Sequence, residues 1–119
     1  MEKEITVNGA VYVLKDTYNP AKELEGKKYC IVRTYSAGVF AGYVESREGK
    51  EVVLRKARRL WYWDGAASLS ELAMSGTSKP QNCKFPEEVE TVILTEAIEI
   101  IDCTEKAYQS IKEVEVWKA

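Results

Sequence analysis

Between residues 29 and 57 the chain alternates β-rich runs with very short breaks, and this pattern constrains the fold more than any other feature. The runs are "YCIVRTY" at 29–35, "VFAGYVES" at 39–46 and "EVVLRKA" at 51–57. Each is rich in β-branched and aromatic residues, which suit a pleated, half-buried surface. Only Ser36–Ala37–Gly38 and the polar "REGK" at 47–50 separate them. Connections this short join antiparallel neighbours, not parallel strands. "RLWYW" at 59–63 is expected to continue as a fourth strand, and Gly42 marks a bulge or a close backbone approach. The expected fold class is α+β: a small, strongly curved, barrel-like antiparallel sheet with two short helices.

The helices are signalled by caps. Ser68 followed by Glu71 fits a capping box, Leu69, Leu72 and Ala73 fall on one face, and Gly76 fits the C-terminal stop. A helix is predicted over roughly 66–75. Thr104 caps a second, over 105–111. The segment 89–101, "VETVILTEAIEII", is read as a strand because its apolar residues are mostly β-branched. "VEVW" at 114–117 is read as a last strand. At the other end, 4–14 reads as strand broken at Asn8–Gly9, either a hairpin turn or a bend in an edge strand. The polar stretch 15–28 is a loop with room for one helical turn at 21–25. The chain is read as a single domain, 1–119, with a hairpin-like segment 1–14 and a polar loop 15–28.

Composition narrows the function. The 119 residues are 45% hydrophobic and 30% charged, with a formal net charge of −2. That balance is ordinary for one globular domain and argues against a long nucleic-acid footprint or a membrane surface. There is no histidine, and the three cysteines are widely spaced without a CxxC pair. No metal site, disulfide framework or cofactor motif is expected. No apolar leader or spanning run is evident, so a cytoplasmic protein is expected. No nucleophile–base arrangement is recognisable, and the expectation is a protein that is not an enzyme.

The densest chemistry lies in "RKARRLWYWDG" at 55–65. Arg55, Arg58 and Arg59 could clamp phosphate oxygens through their planar forks, with Lys56 adding a point charge. Trp61, Tyr62 and Trp63 could offer faces to a base ring. By alternation Arg59, Trp61 and Trp63 share one face of a strand, and Leu60 and Tyr62 the other. The loop "TSKPQNCKFP" at 77–86 brings Lys84 and Phe85 as candidates to close a pocket, and Arg33 stands alone inside a strand-like run. The candidate ligand-binding residues are therefore Arg33, Arg55, Arg58, Arg59, Trp61, Tyr62, Lys84 and Phe85. Each has a plainer alternative: core or subunit packing for Trp61 and Tyr62, a solvated strand and turn edge for Arg55, Arg58 and Arg59, a snorkelling surface residue for Arg33, and a structured surface loop for Lys84 and Phe85. From Glu87 to Glu105 there are seven carboxylates and no basic side chain. Such a segment is either a solvated face or a complement to the basic stretch of another subunit, which suggests a homo-oligomer.

The run "IVRTYSAGVFAGYVESREGKEVVLRKARRLWYWDGAASLSELAMSG" resembles a family of small phage and prophage proteins. "KPQNCKFP", "ILTEAIEIIDCTEKA" and the terminal "EVWK" follow the same pattern, so the resemblance spans about residues 29–118. The family lies near the anti-defence sponge proteins that counter the Thoeris system. The resemblance implies capture of a cyclic ADP-ribose isomer, or a related cyclic nucleotide, without cleavage, by a symmetric oligomer in the host bacterial cytoplasm. It assigns no ligand-contacting residue, so the candidates above rest on local chemistry. The alternative reading is a small β-barrel-like module that binds nucleic acid or inhibits a host defence protein by direct contact.

Overall fold

The computed structural model describes residues 19–119, together with the strands Glu4–Val7 and Ala10–Val13. Among the described residues seven strands and two α-helices follow in the order β1 (Glu4–Val7), β2 (Ala10–Val13), β3 (Tyr29–Thr34), β4 (Val39–Glu48), β5 (Glu51–Arg59), α1 (Leu69–Ser75), β6 (Val89–Leu94), β7 (Ala97–Asp102) and α2 (Glu105–Glu113), with a 3-10 turn at Pro80–Asn82 between α1 and β6. β1 and β2 pair antiparallel, with Val7 opposite Ala10. The Asn8–Gly9 turn expected between them lies outside the described residues.

The other five strands form one antiparallel sheet in the order β6-β5-β4-β3-β7. This corrects the expectation of a strongly curved, barrel-like sheet. The sheet is open: β6 and β7 are separate edges, and no ladder joins them. The register of β4 against β5 shifts between Ala41 and Tyr43 and again between Val44 and Ser46. These bulges bend the strands locally. The first needs Gly42, because a β-carbon there would sit 3.0 Å from the Ala57 α-carbon. Across from it Lys56 takes the extra residue, with φ at 50°.

The β4–β5 hairpin is longer than the alternation suggests, because only Gly49–Lys50 turns and Glu48 pairs with Glu51. The predicted strand 59–63 is corrected too. β5 ends at Arg59, and beyond it only Tyr62 makes an isolated bridge, to Lys84. Likewise 89–101 is two strands on opposite edges, joined by Thr95 and Glu96 alone, and 114–117 contributes one bridge, Val116 to Phe85. No helical turn forms at 21–25. Leu24 and Lys27 instead exchange backbone hydrogen bonds around Glu25–Gly26, both at positive φ, the conformation of a tight hairpin turn.

Both helices pack on one face of the sheet. There Tyr29 and Ile31 of β3 and Ala41 and Tyr43 of β4 meet Leu72, Ala73, Ala107 and Ile111. Tyr29 sits edge-on to both Tyr43 and Tyr108, at 5.0 and 4.7 Å between ring centres. Such pairs add to simple area burial. The opposite face buries Val32, Phe40, Val52, Leu54 and Leu94 as a second cluster. Ser68 caps α1 by accepting from the Glu71 amide, while Glu71 accepts from the Ala67 amide. Thr104 joins the helices: its hydroxyl accepts from the Ala107 amide and donates to the Met74 carbonyl. Gly76 ends α1 at φ 76°, where a β-carbon would overlap Ser110 of α2. Among the described residues no helix is long and apolar enough to cross a membrane.

Candidate functional site

Arg59 ends β5 directly opposite Phe40 of β4. Its guanidinium lies over the Phe40 ring, 4.3 Å from the centre, and Nη1 donates to the Ala37 carbonyl at 2.5 Å. The β3–β4 turn that presents Ala37 is itself tied down. The Thr34 hydroxyl donates to the Gly38 carbonyl and accepts from the Ala37 amide, and Ser36 donates to Glu96. The Leu60 amide donates to Val39, which holds the chain leaving β5 against this turn. Trp61 and Trp63 then form the remaining wall. The result is a groove of about 460 Å³ that joins Arg59, two indole rings and the Ser36–Gly38 backbone. Arg59, Trp61 and Trp63 were expected on one face of a strand; the strand ends at Arg59, and the three line a common concavity instead. Trp61 is 63% exposed, whereas Trp63 is half-buried and packs against the main core.

Tyr62 points elsewhere. Its backbone exchanges hydrogen bonds with Lys84, and the Lys84 ammonium lies 5.8 Å from the Tyr62 ring and 5.6 Å from that of Trp117. Lys84 thus sits between two half-exposed rings as a cation–π contact. It does not reach the Arg59 groove. Trp117, whose amide donates to the Phe85 carbonyl, was not among the sequence candidates. Its contact with Lys84 spans 33 positions and leaves no local signal.

The other candidates are drawn into the architecture. Arg58 is only 4% exposed. Its guanidinium donates to four carbonyls: Pro86 at 3.0 Å, Phe85 at 3.1 Å, Ile111 at 2.8 Å and Val114 at 2.7 Å. Two of these belong to the last turn and cap of α2: Ile111, which also accepts from the Val114 amide at 3.3 Å, and Val114 itself, beyond the helix's own hydrogen bonds. Burial pulls the Arg58 guanidinium below its ordinary pKa. A phosphate clamp at Arg58 would have to break this set, so the expectation is corrected to a structural role. Phe85 is fully buried beneath Arg58 and offers no face to a ligand. Arg33 pairs with Glu99 at 2.8 Å, and Arg55 bridges Glu45 and Glu90, both at 3.3 Å.

These pairs account for the charge segregation of the sequence. Glu88 meets Lys112, Glu90 meets Arg55 and Lys56, Glu99 meets Arg33 and Asp102 meets Lys28. Four of the seven carboxylates in the acidic stretch find cations within the same chain. Arg59, by contrast, takes part in no ion pair among the described residues.

The three thiols are buried. Burial, then a hydrogen bond to Asp102, pushes Cys30 well above the ordinary thiol range, and burial pushes Cys103 up to about 12. Neither is disposed to act as a thiolate. Among the described residues no group of three or more carboxylates and thiols is placed to hold a metal ion. Three other concavities have similar size. One, about 430 Å³, lies beside Pro20, Tyr29 and Cys103, another, about 550 Å³, lies between Lys50 and β7, and a third, about 420 Å³, lies where Arg55 and Lys56 face Glu45 and Glu90. None sets a cation against exposed aromatic faces, so the Arg59 groove is the candidate site.

Residues 27–111 match the model of a family described as a domain of unknown function (DUF6948). No curated protein and no solved structure matches the chain.

Proposed function

We propose that this chain, which belongs to the DUF6948 family, reversibly binds a small phosphate-bearing nucleotide in the Arg59 groove and releases it unchanged. The observation that carries the reading is the position of Arg59, a guanidinium outside every ion pair among the described residues, which shares one groove with Trp61 and Trp63. A base ring stacks on an exposed indole, and a phosphate oxygen takes the guanidinium nitrogens not committed to Ala37. No bond is made or broken in this reading. Its most specific form is the sequestration of a cyclic ADP-ribose isomer or cyclic nucleotide signal, the sponge role implied by the family resemblance. A second reading is direct contact with a host defence protein, favoured by the exposed Tyr62–Lys84–Trp117 cluster.

The test is incubation with cyclic ADP-ribose isomers and cyclic dinucleotides, followed by heat release and identification of the small molecule. Unchanged ligand supports the reading. Loss of one charge-assisted hydrogen bond costs about 1.5–3 kcal/mol, so Arg59→Ala should weaken binding about 10–150-fold. A converted product, or no uptake of any ligand, would overturn it.

A further inference from the structure

We propose that the ligand of the Arg59 groove carries two bases, and that the Tyr62–Lys84–Trp117 cluster is the subsite for the second. The inference rests on the nucleotide reading of the groove and names its ligand class: two nucleosides joined through phosphate, as in a dinucleotide or one step of a single strand. The two places offer the same chemistry. In each, a cation outside every ion pair among the described residues stands beside exposed aromatic rings: Arg59 with Trp61, and Lys84 with Tyr62 and Trp117. Tyr62 and Trp117 are 50% and 44% exposed. The places are also adjacent. Trp61 and Tyr62 are successive residues, and only the first turns its ring to the groove, while the second faces Lys84. A ligand with one base on Trp61 reaches the cluster by crossing that single stretch of backbone. Bases splayed apart and stacked on separate aromatic rings are a common way of holding unpaired nucleotides.

Backbone hydrogen bonds, not burial of the rings, assemble the cluster. Tyr62 and Lys84 exchange bonds at 3.2 and 2.7 Å, and the Trp117 amide donates to the Phe85 carbonyl at 3.0 Å. Phe85 is itself fully buried and bridges Val116. Three segments far apart in sequence thus set two rings and one ammonium side by side before any ligand arrives, which lowers the ordering cost of binding. The ammonium stands 5.8 and 5.6 Å from the ring centres, at the outer reach of a cation–π contact. Its donors stay available to a phosphate oxygen. The footprint ends with the second base. Arg58 is committed to carbonyls, Arg55 and Lys56 to carboxylates, and a net charge of −2 offers no basic track for a longer strand.

Calorimetry with AMP and with the dinucleotide pApA tests the second subsite. pApA should bind about 5–150-fold tighter than AMP, the worth of one base–aromatic stack. Trp117→Ala and Lys84→Ala should each bring that ratio down toward one, and circular dichroism checks that both variants fold. Arg59→Ala should weaken both probes together and leave the ratio standing. An oligo-dA strand should bind no more than about tenfold tighter than pApA, and a larger gain overturns the two-base footprint. A ratio near one in the wild type, with AMP bound, overturns the second subsite, leaves the groove reading intact and returns the cluster to contact with a protein. A ratio that survives both cluster substitutions overturns it too. So does binding of neither probe, in which case the groove reading stands or falls by uptake of the cyclic ligands.

Discussion

The Nη2 atom of Arg58 lies 2.7 Å from the carbonyl oxygen of Val114, 56 positions away. One guanidinium thereby binds the end of β5 to the end of α2 and to the loop carrying Phe85. Removing it leaves the Pro86 and Val114 carbonyls without a donor among the described residues, while those of Phe85 and Ile111 keep the amides of Trp117 and Val114. Each unsatisfied group costs about 1–3 kcal/mol, so Arg58→Ala should destabilise the fold by at least about 2 kcal/mol in urea titration. Arg58→Lys supplies a point charge in place of a fork and should recover only part of that loss. An unchanged midpoint for Arg58→Ala would remove the structural assignment.

Trp61 and Trp63 should separate binding from stability. Both line the Arg59 groove, but only Trp63 also packs against the core. Stacking of a base on an aromatic ring is worth about 1–3 kcal/mol. Trp61→Ala should lose nucleotide affinity by that amount and leave the unfolding midpoint close to wild type. Trp63→Ala should lower both. Calorimetry and denaturant titration on the two variants distinguish them.

Gly42→Ala should destabilise although it adds a single methyl group. The new β-carbon meets the Ala57 α-carbon at 3.0 Å and the Arg55 carbonyl at 3.1 Å, both backbone. Neither can rotate away, and overpacking of this kind costs about 1–3 kcal/mol. Gly49→Ala has open space around its β-carbon but, unlike Gly42, sits at positive φ, so its cost is one of backbone strain alone. The shift in thermal midpoint measures each.

Stability should fall at alkaline pH. Burial raises the pKa of Cys30, Cys103 and Tyr29, so the folded protein keeps protons that the unfolded chain loses. For the thiols the stabilisation is complete below the unfolded value, about pH 8.5. It is lost as pH rises from there through the folded value, which is about 12 for Cys103. Each such thiol contributes a slope of about 1.4 kcal/mol per pH unit within that window. Urea midpoints between neutral and alkaline pH check the sign. Native thiols should resist alkylation near pH 8 and react once the chain is unfolded.

Local signals were legible in the sequence and distant partnerships were not. The Ser68 and Thr104 caps act within one helical turn, and the helices begin just after them. The turns at 36–38 and around Gly49 likewise involve adjacent residues. The fate of 89–101 was hidden, because β-branched residues say nothing of a sheet's strand order, and Thr95–Glu96 carries no strong turn signature. Lys56 in its bulge shifts the alternation of β5, so Arg58 turns inward while Arg59 stays at the rim. Without that shift the four cations read as one patch. The candidate site was legible only where its residues are sequence neighbours: Arg59, Trp61 and Trp63.

The two-residue link between β6 and β7 bears on how the chain reaches its native state. β3, β4 and β5 follow one another, so their ladders close short loops and can assemble early. β7 must find β3 some 70 positions upstream, while β6 finds β5. With only Thr95 and Glu96 between them, neither strand can settle far ahead of the other. The hairpin core therefore waits with both flanks unpaired until one late, concerted step covers them, and in that interval it is most prone to pair with the wrong neighbour.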